Sequence, residues 1–302
     1  MTLDAFVAHA GATSTVVQVA GEPWQLSGRR LGPLAPPHRP PAASAEAVRR
    51  ALAGTGALVA SWNDGWDTPP LPWWWVCCDD PGYDVEGLPR NARRDVRAGL
   101  RRCEVRRVEP AELAEGGFAV YRAAFERYDV HVTALTAEGF AAEVRRNAAY
   151  PGRESWGAFA DGRMVAWASC IVVDDVVLLA SAKSDPAHLK AMPNNAIAYE
   201  LARHYLRDRR MRYVTDGSRT VAHDTRYQDF LLRMGWRKVF CPLRLVLSPA
   251  ARLAARSGAD RWGRLLLLHR LAPVPFARVE ALAAMDRIAR ECAVAGAPVP
   301  TP

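Results

Sequence analysis

Polar side chains follow two apolar segments of the chain, residues 176–184 and 212–216, at the points where these segments end. The polar residues are Lys183 and Asp185 around the end of the first segment, and Asp216, Ser218 and Arg219 around the end of the second. A carboxylate such as Asp216 can act as a general base, while lysine and arginine neutralise or clamp anionic groups. Such residues are also common in turns at strand ends, and Asp216 precedes a glycine. We therefore treat them as candidates for proton transfer and for binding a charged substrate.

Further candidates lie on a loop and near the starts of two predicted helices. His223 could act as a base near neutral pH, although a lone loop histidine is more often exposed and idle. Tyr227 could donate a proton from the start of a helix, where negative charge is stabilised, and packing is its alternative role. Asn194 and Asn195 could hold a phosphate with their backbone N–H groups, or could simply cap the helix that they begin.

Hydrophobic periodicity predicts the elements that must position these residues. Alternating and continuous apolar patterns predict strands over 155–160, 164–173, 176–184 and 212–216. Helical periodicity predicts helices over 194–210, with Asn194 or Asn195 as the N-cap, and over 227–234, ended by Gly235. Residues 236–247 supply two closing strands broken at Pro242. The hydrophobic period thus changes from two residues, typical of strands, to 3.6 residues, typical of helices, and back again. This order is typical of a mixed sheet with a crossover helix.

The flanking parts of the chain carry weaker signals. Residues 1–35 predict short strands, and Ser44 is expected to cap a helix over 45–53 that Gly54 ends. Further helices are predicted over 89–103, 110–128 and 136–150, and further strands over 57–62, 73–78 and 104–108. Apolar runs at 265–268 and 282–288 predict helices in the tail, whose last seven residues are expected to be disordered.

Arginines line one side of the predicted helix 89–103. They recur at spacings of three and four residues, at Arg90, Arg93, Arg94, Arg97 and Arg101. Such a face can contact the phosphates of tRNA or another polyanion, and a solvated amphipathic helix is the alternative. The formal charge of +8, from 40 basic and 32 acidic residues, favours a polyanionic partner only weakly.

Composition and missing motifs exclude several classes of protein. The six cysteines form no Cys-x-x-Cys pair and no cluster with histidine, so we expect neither a zinc site nor any other metal. Their pattern is typical of reduced thiols in a cytoplasmic protein, and no apolar run is long enough to span a membrane. The chain has no Gly-x-Ser-x-Gly, no Walker loop and no Gly-x-Gly-x-x-Gly after a strand, which disfavours a hydrolase, a kinase or a dehydrogenase.

Two segments resemble known families. The element order across 155–247, with Phe230-Leu-Leu-Arg-Met-Gly-Trp-Arg-Lys-Val, resembles the GNAT N-acyltransferase superfamily. Residues 88–107 resemble the basic helix and strand of FemAB-type proteins, which carry two GNAT-like units and transfer amino acids from aminoacyl-tRNA. The resemblance implies an α/β fold, a GNAT-like mixed sheet flanked by helices, with two such halves in tandem and a helical C-terminal tail. The expected boundaries are 1–109, 110–248 and 249–302.

The chain departs from the GNAT pattern at two places. Acetyl-CoA-dependent members usually carry an Arg/Gln-x-x-Gly-x-Gly/Ala loop before the main helix, and its N–H groups hold the pyrophosphate. Here residues 188–196 contain no glycine. The frequent general-acid tyrosine, four residues before the helix-ending glycine, is replaced by Leu231. Both departures argue against ordinary use of acetyl-CoA.

The resemblance implies an N-acyltransferase in which an amine, on a small molecule or a peptide, attacks an activated acyl group directly. The donor would be an acyl-CoA or an aminoacyl-tRNA, and its carbonyl would lie between two splayed strands, here 176–184 and 212–216. The implied roles are catalytic for Asp216, Tyr227 and His223, donor-binding for Lys183, Asn194 and Asn195, and substrate-binding for Ser218, Arg219 and Asp185. The alternative is a catalytically inactive GNAT-fold module that binds RNA or a partner protein.

Overall fold

The computed structural model describes residues 1–126, 133–221, 226–258 and 273–295. Its helices are α1 (Leu3–Thr13), α2 (Ala45–Thr55), α3 (Arg90–Arg102), α4 (Pro110–Phe125), α5 (Ala137–Ala148), α6 (Pro193–Arg203), α7 (Arg226–Arg233), α8 (Pro249–Arg256) and α9 (Pro273–Ala295). Its strands are β1 (Thr15–Val19), β2 (Glu22–Ser27), β3 (Arg30–Pro33), β4 (Val59–Asn63), β5 (Trp74–Cys78), β6 (Glu104–Val108), β7 (Arg153–Ala160), β8 (Arg163–Val173), β9 (Val176–Ser184), β10 (Tyr213–Ser218), β11 (Arg237–Phe240) and β12 (Leu243–Leu247).

The chain forms two compact units. The first unit comprises Met1–Ala5, Val76–Gly217 and Arg226–Lys238, and the second comprises Phe6–Trp75, Ser218–Thr225 and Val239–Pro302. Each unit is thus assembled from segments that are distant in sequence. The division of the sequence at 109/110 and 248/249 stays a prediction.

The first unit is built on a seven-stranded mixed sheet in the order β11-β5-β10-β9-β8-β7-β6. Strands β6 to β9 pair antiparallel with their neighbours, and β10 pairs parallel to β9. The hairpin turns hold Asp161 and Asp174 at positive φ, 50° and 48°, as tight hairpins require. The predicted strands 155–160, 164–173 and 176–184 are therefore confirmed.

Helices cover both faces of this sheet. Trp167 on β8 donates from Nε1 to the carbonyl oxygen of Gly117 on α4, at 3.2 Å. Cys170, three residues further along β8, lies 3.1 Å from the hydroxyl of Tyr205, in the π-helical turn that follows α6. Because side chains alternate along a strand, these two contacts lie on opposite faces. The core beneath α4 and α5 contains Leu113, Val120, Phe140, Val144 and Met164.

The second unit is built on a five-stranded mixed sheet in the order β1-β2-β3-β4-β12, in which only β3 and β4 pair parallel. Trp24 is fully buried and meets Trp62 edge to face, with ring centroids 5.5 Å apart. Ser44 accepts a hydrogen bond from the N–H of Ala47 and caps α2, as predicted. The helix ends at Gly56, with φ 67°, rather than at Gly54.

The predicted fold class is confirmed, with two mixed sheets flanked by helices and a C-terminal helix, α9. The expectation of strands throughout residues 1–35 is wrong for Leu3–Thr13, which forms α1. Short apolar alternations do not distinguish a strand from a weakly amphipathic helix. The tail helix expected over 265–268 and the last seven residues lie outside the described residues.

All six cysteines are buried, and no disulfide joins them. Among the described residues, no group of three or more His, Cys, Asp and Glu side chains could hold a metal ion. No helix within the same residues combines the length and the apolar character needed to cross a bilayer.

Candidate functional site

Strands β9 and β10 separate soon after they begin to pair. Their parallel register joins only three residue pairs, Tyr213↔Val176, Val214↔Val177 and Thr215↔Leu178. Both strands continue beyond this point, β9 to Ser184 and β10 to Ser218. We call the opening beyond the last pair the fork. Main-chain groups of β9 within the fork have no partner on β10, so the divergence expected for these two segments is present.

A bulge adds to the irregularity of β9 within the fork. The pairing with β8 shifts between Ser169 and Cys170, because Ser169 pairs with Ser181 whereas Cys170 pairs with Leu179. Ala180 is therefore the extra residue on β9. A bulge leaves a residue out of the ladder and turns the strand locally. The fork thus combines a missing neighbour on one side of β9 with an interrupted ladder on the other.

Asp216 lies directly after Thr215, the last residue of β10 that pairs with β9, and is partly buried. Its neighbour Thr215 is fully buried and donates from Oγ1 to the carbonyl oxygen of Val76 at 2.8 Å, which holds β10 in place just before Asp216. Burial raises the pKa of Asp216 from 3.8 to about 6, although a hydrogen bond from the Gln228 side chain opposes the shift. A carboxyl group with this pKa is ionised at neutral pH and still basic enough to accept a proton.

Tyr227 lies in the first turn of α7, near Asp216. Burial raises the pKa of its hydroxyl, and the negative charge of Asp216 raises it further. The phenol is therefore protonated at neutral pH and can act as a donor. Leu231, at the position of the tyrosine that GNAT members often carry, is fully buried. Residues four apart share one helix face, so Tyr227 lies one turn before that position on the same face of α7.

Gln228 is the site residue that the sequence did not reveal. Its side chain is buried and bonds to the carboxylate of Asp216. A buried amide without a partner would be unfavourable, so its pairing with Asp216 accounts for its presence in the core. The available signal was a polar residue among the apolar positions of a short helix, which is too weak to identify a site.

The raised pKa of Asp216 has a consequence for stability. The folded protein binds this proton more tightly than the unfolded chain, because about 6 exceeds 3.8. The free energy of unfolding should therefore fall, by up to about 2 kcal/mol, as the pH rises from about 4 to about 6. Urea unfolding of wild type and Asp216→Asn over this range measures the effect. The free energy of unfolding of the variant should increase relative to that of the wild type as the pH rises. A difference between the two that does not change with pH would contradict the prediction.

The two asparagines at the start of α6 do not cap it, and that part of the prediction is wrong. The N-cap is Met192, held at φ 58°, and no side chain caps the helix; Pro193 is its first residue. Asn194 instead donates from Nδ2 to Ser184 Oγ at 3.1 Å, and Asn195 donates to Met234 Sδ at 3.3 Å. Proline fixes a helical φ at the first position, so this helix begins without a polar cap.

Asp185 closes the turn that follows β9. Its carboxylate accepts a hydrogen bond from the N–H of Ala187 at 2.9 Å and caps the short 3₁₀ helix Pro186–Ala191. The other carboxylate oxygen lies 3.0 Å from His188 Nδ1. Both oxygens therefore have local partners, which favours a structural role. Lys183 is partly buried on β9, opposite Trp167 on β8. For Lys183 and Asp185, donor or substrate contacts stay predictions.

Two further predicted residues lie in the second unit, and a third is not described. Ser218 and Arg219 belong to the second unit. The guanidinium of Arg219 donates from Nη1 to the carbonyl oxygen of Pro72 at 2.7 Å, and its backbone N–H donates to Trp74 O at 2.8 Å. His223 lies outside the described residues. The structure thus brings together Asp216 and Tyr227, and their catalytic roles stay predictions.

The arginine face of α3 is partly neutralised. Arg93 and Arg97 pair with Glu86, and Arg94 pairs with Asp95. Arg90 and Arg101 are exposed and form no ion pair within the described part of the chain. The opposite side of the helix buries Ala92, Val96 and Gly99, whereas Leu100 is 37% exposed.

Solved structures of similar fold exist, although no protein-family model and no curated protein matches the chain. The C-terminal domain of a protein described as a lysylphosphatidylglycerol synthetase, from Agrobacterium fabrum, aligns at 12% identity and a TM-score of 0.52, over 79% of this chain and 87% of that one. FemX aligns at 8% identity and a TM-score of 0.52, over 82% of this chain and 92% of its own. At these identities the likeness concerns the fold alone. The chain has a divergent GNAT/FemAB-like fold, as the sequence predicted.

Proposed function

We propose that this protein transfers an aminoacyl group from an aminoacyl-tRNA to an amine. The observation that carries the proposal is the fork, which opens after only three residue pairs and holds Asp216 at its start. An uninterrupted ladder would leave no main-chain groups to bind an acyl oxygen. The fold of FemX and of the lysylphosphatidylglycerol synthetase domain supports a transferase in general terms.

The chemistry needs a base, a polarised carbonyl and a leaving group that can be protonated. Asp216, with a pKa of about 6, accepts the proton that the attacking amine loses. The amine nitrogen forms a bond to the acyl carbon, and main-chain N–H groups of β9 in the fork stabilise the negative charge on the acyl oxygen. The ester C–O bond then breaks, and Tyr227 donates a proton to the departing oxygen. The neutral phenol expected from its raised pKa suits this role.

The start of α6 favours tRNA over coenzyme A as the donor. Three carbonyl oxygens in the segment before this helix contact α3: that of Lys190 accepts from Arg102 Nη1 at 2.7 Å, that of Ala191 lies 3.6 Å from Cys103 Sγ, and that of Met192 lies against Gly99. The segment is held by protein contacts and has no glycine to let a pyrophosphate approach. FemAB-type proteins, which the sequence resembles, use aminoacyl-tRNA.

Arg90 and Arg101, which form no ion pair within the described residues, make this donor testable. Replacing both Arg90 and Arg101 with glutamine should weaken tRNA binding and lower the slope of log K against log salt by about 1.5, as expected for two lost phosphate contacts. Fluorescence anisotropy with labelled tRNA at several salt concentrations measures both quantities. The control removes the same charge from two exposed arginines elsewhere, Arg146→Gln with Arg163→Gln. An equal slope in the two double variants would argue against a tRNA site on α3.

The transfer itself is tested by a donor screen. Purified protein is incubated with radiolabelled aminoacyl-tRNAs, and in parallel with acyl-CoA thioesters, together with a mixture of small amines and peptides. We expect label to move from tRNA to an amine. Transfer from a thioester alone would retain the acyltransferase but overturn the choice of donor. No transfer from either donor, by protein shown to be folded, would overturn the proposed function.

A second candidate is a GNAT-fold module that binds RNA or a partner protein without catalysis. Leu231 favours it, because a fully buried leucine replaces the tyrosine that often serves as the acid. In that case RNA affinity would depend on salt, and Asp216→Asn would leave the function intact. A cytoplasmic location, expected from the cysteine pattern, remains a prediction.

A further inference from the structure

The first unit contains a cavity of about 280 Å³ between α5 and the sheet strands β6 to β9. Its volume is just below the usual range for ligand pockets, roughly 300–1,000 Å³, and suits only a small metabolite. Neither Asp216 nor Tyr227 lines it. Its apolar walls come from Leu113, Phe140, Val144 and Trp167. The other side chains that line the cavity are mostly polar, and their arrangement indicates which kind of ligand the cavity could hold.

Three serines form the floor. Ser155, Ser169 and Ser181 lie side by side on β7, β8 and β9, since Ser169 pairs in register with each of the other two. Ser169 is 3% exposed, and its hydroxyl lies 3.1 Å from that of Ser155. A sheet face beneath helices normally carries apolar side chains. A row of small hydroxyl residues here both leaves space and provides hydrogen-bonding groups on the floor of the cavity.

Two opposite charges line the cavity and form no ion pair with each other. Arg153 is half-buried, and its guanidinium makes neither a hydrogen bond nor an ion pair within 4 Å to any described residue. Burial lowers the pKa of Arg153, and the charge of Glu143, on α5, is near enough to oppose that shift. The two groups line the same cavity. The lining therefore contains a cation and an anion that are not paired with each other.

Two other charged residues of the lining, Glu154 and Arg107, are already paired. Glu154 accepts hydrogen bonds from Arg209 at 2.6 Å and from the Tyr205 hydroxyl at 2.8 Å, and Arg107 lies 3.4 Å from it. Glu109 adds a second carboxylate to the lining, on the side of α4. Arg153 therefore remains available to an anion, and Glu143, with Glu109, remains available to a cation.

We propose that this cavity binds a small α-amino acid as a zwitterion, separately from the reaction at the fork. The ligand carboxylate pairs with Arg153, its ammonium group pairs with Glu143, and its side chain packs on the apolar walls. The serine row hydrogen-bonds the carboxylate. A ligand with a single charge can pair with either Arg153 or Glu143 but not with both, so the cavity should select the zwitterion. The inference does not depend on the proposed function.

The test is calorimetric titration of the full chain with small amino acids, compared with their N-acetyl and amide derivatives. The N-acetyl compound lacks the cation and the amide lacks the carboxylate, so each should bind at least about tenfold more weakly. Arg153→Gln and the nearly isosteric Glu143→Gln should each weaken binding by a similar factor. Arg145→Gln, on the exposed side of α5, is the matched control and should bind as the wild type does.

Each outcome decides the inference. Equal affinity for the amino acid and its N-acetyl derivative, with no effect of Glu143→Gln, would indicate a plain anion site and overturn the proposal. No heat of binding for any amino acid at millimolar concentration would also overturn it. Asp216→Asn should bind with an unchanged Kd. If acyl transfer is lost and amino-acid binding is retained, the result concerns only the proposed reaction at the fork. If amino-acid binding is lost and acyl transfer is retained, the result concerns only the cavity.

Discussion

Replacing Asp216 with asparagine should lower the rate of acyl transfer by about 10²- to 10⁴-fold, the usual contribution of a general base. Asparagine has nearly the same shape and its amide oxygen can still accept the hydrogen bond from Gln228, so the fork should keep its geometry. What the variant loses is the ability to take a proton from the amine. The effect should appear in kcat, because the proton moves in the transition state and not in the binding of either substrate.

The pH dependence of kcat/KM in the wild type provides a second test of the role of Asp216. Since the pKa of Asp216 is about 6, kcat/KM should rise as the pH increases through about 6 and then level off with respect to this group. The residual activity of Asp216→Asn should lack that rise. Asp229→Asn, an exposed residue on the same helix as Tyr227, is the matched control and should retain wild-type activity and pH profile. Full activity in Asp216→Asn would show that Asp216 is not the base.

The activity and the stability of Asp216→Asn should change in opposite directions. The variant carries no charge to bury, so its free energy of unfolding at pH 8 should exceed that of the wild type, while its rate falls. Substituting a residue that is retained for packing would destabilise the protein. Removing a functional group that is held in an unfavourable environment often stabilises the protein. Measuring both quantities on one protein preparation separates the two cases.

Gly99→Ala should lower the free energy of unfolding by about 1–3 kcal/mol, the usual effect of overpacking a close contact. A Cβ at this position would lie 2.6 Å from the carbonyl oxygen of Met192 and 3.0 Å from Ala196 Cβ, on α6. The nearest atom belongs to the backbone, so it cannot rotate away. Because alanine favours a helix over glycine by roughly 0.5–1 kcal/mol, a loss of stability would show that the contact outweighs propensity.

Urea unfolding of Gly99→Ala and Gly54→Ala measures this difference. Gly54 lies inside α2, and a Cβ there would meet nothing within 4 Å. The same substitution should therefore stabilise the protein by about 0.5–1 kcal/mol, through helix propensity alone. If both variants were stabilised alike, α3 would not pack on the start of α6 through Gly99. The tRNA and coenzyme A donors would then no longer be distinguished by that contact.

Several features of the fold could be predicted from the sequence because they depend on neighbours along the chain. The strands 155–184 follow from period-two patterns around Asp161 and Asp174, whose turn conformations are local. Ser44 and Thr136 cap their helices with their own side chains, within three residues. The element order across 155–247 then pointed to a GNAT-like sheet, and with it to Asp216 and Tyr227 as candidates.

Other features depended on contacts between distant segments. The closing strands β11 and β12 read as one pair interrupted at Pro242, yet β11 joins the seven-stranded sheet and β12 the five-stranded one. On α3, the approach of α6 makes Gly99 the buried position, whereas the neighbouring Leu100 is exposed. Helical periodicity gives a face to within one residue, and only the partner helix fixes which residue lies at the contact.

The sequence by itself thus determined the elements, the kind of sheet and the residues that could do chemistry at the ends of two strands. Only the tertiary structure decided where β9 and β10 part, that Gln228 bonds to Asp216, and that three serines from separate strands share one cavity floor. Strand register, burial and the pKa shifts that follow from them are set by side chains far apart in the chain. Such effects leave no periodic signal in the sequence, because a local pattern records which face of an element is apolar and not what lies against it.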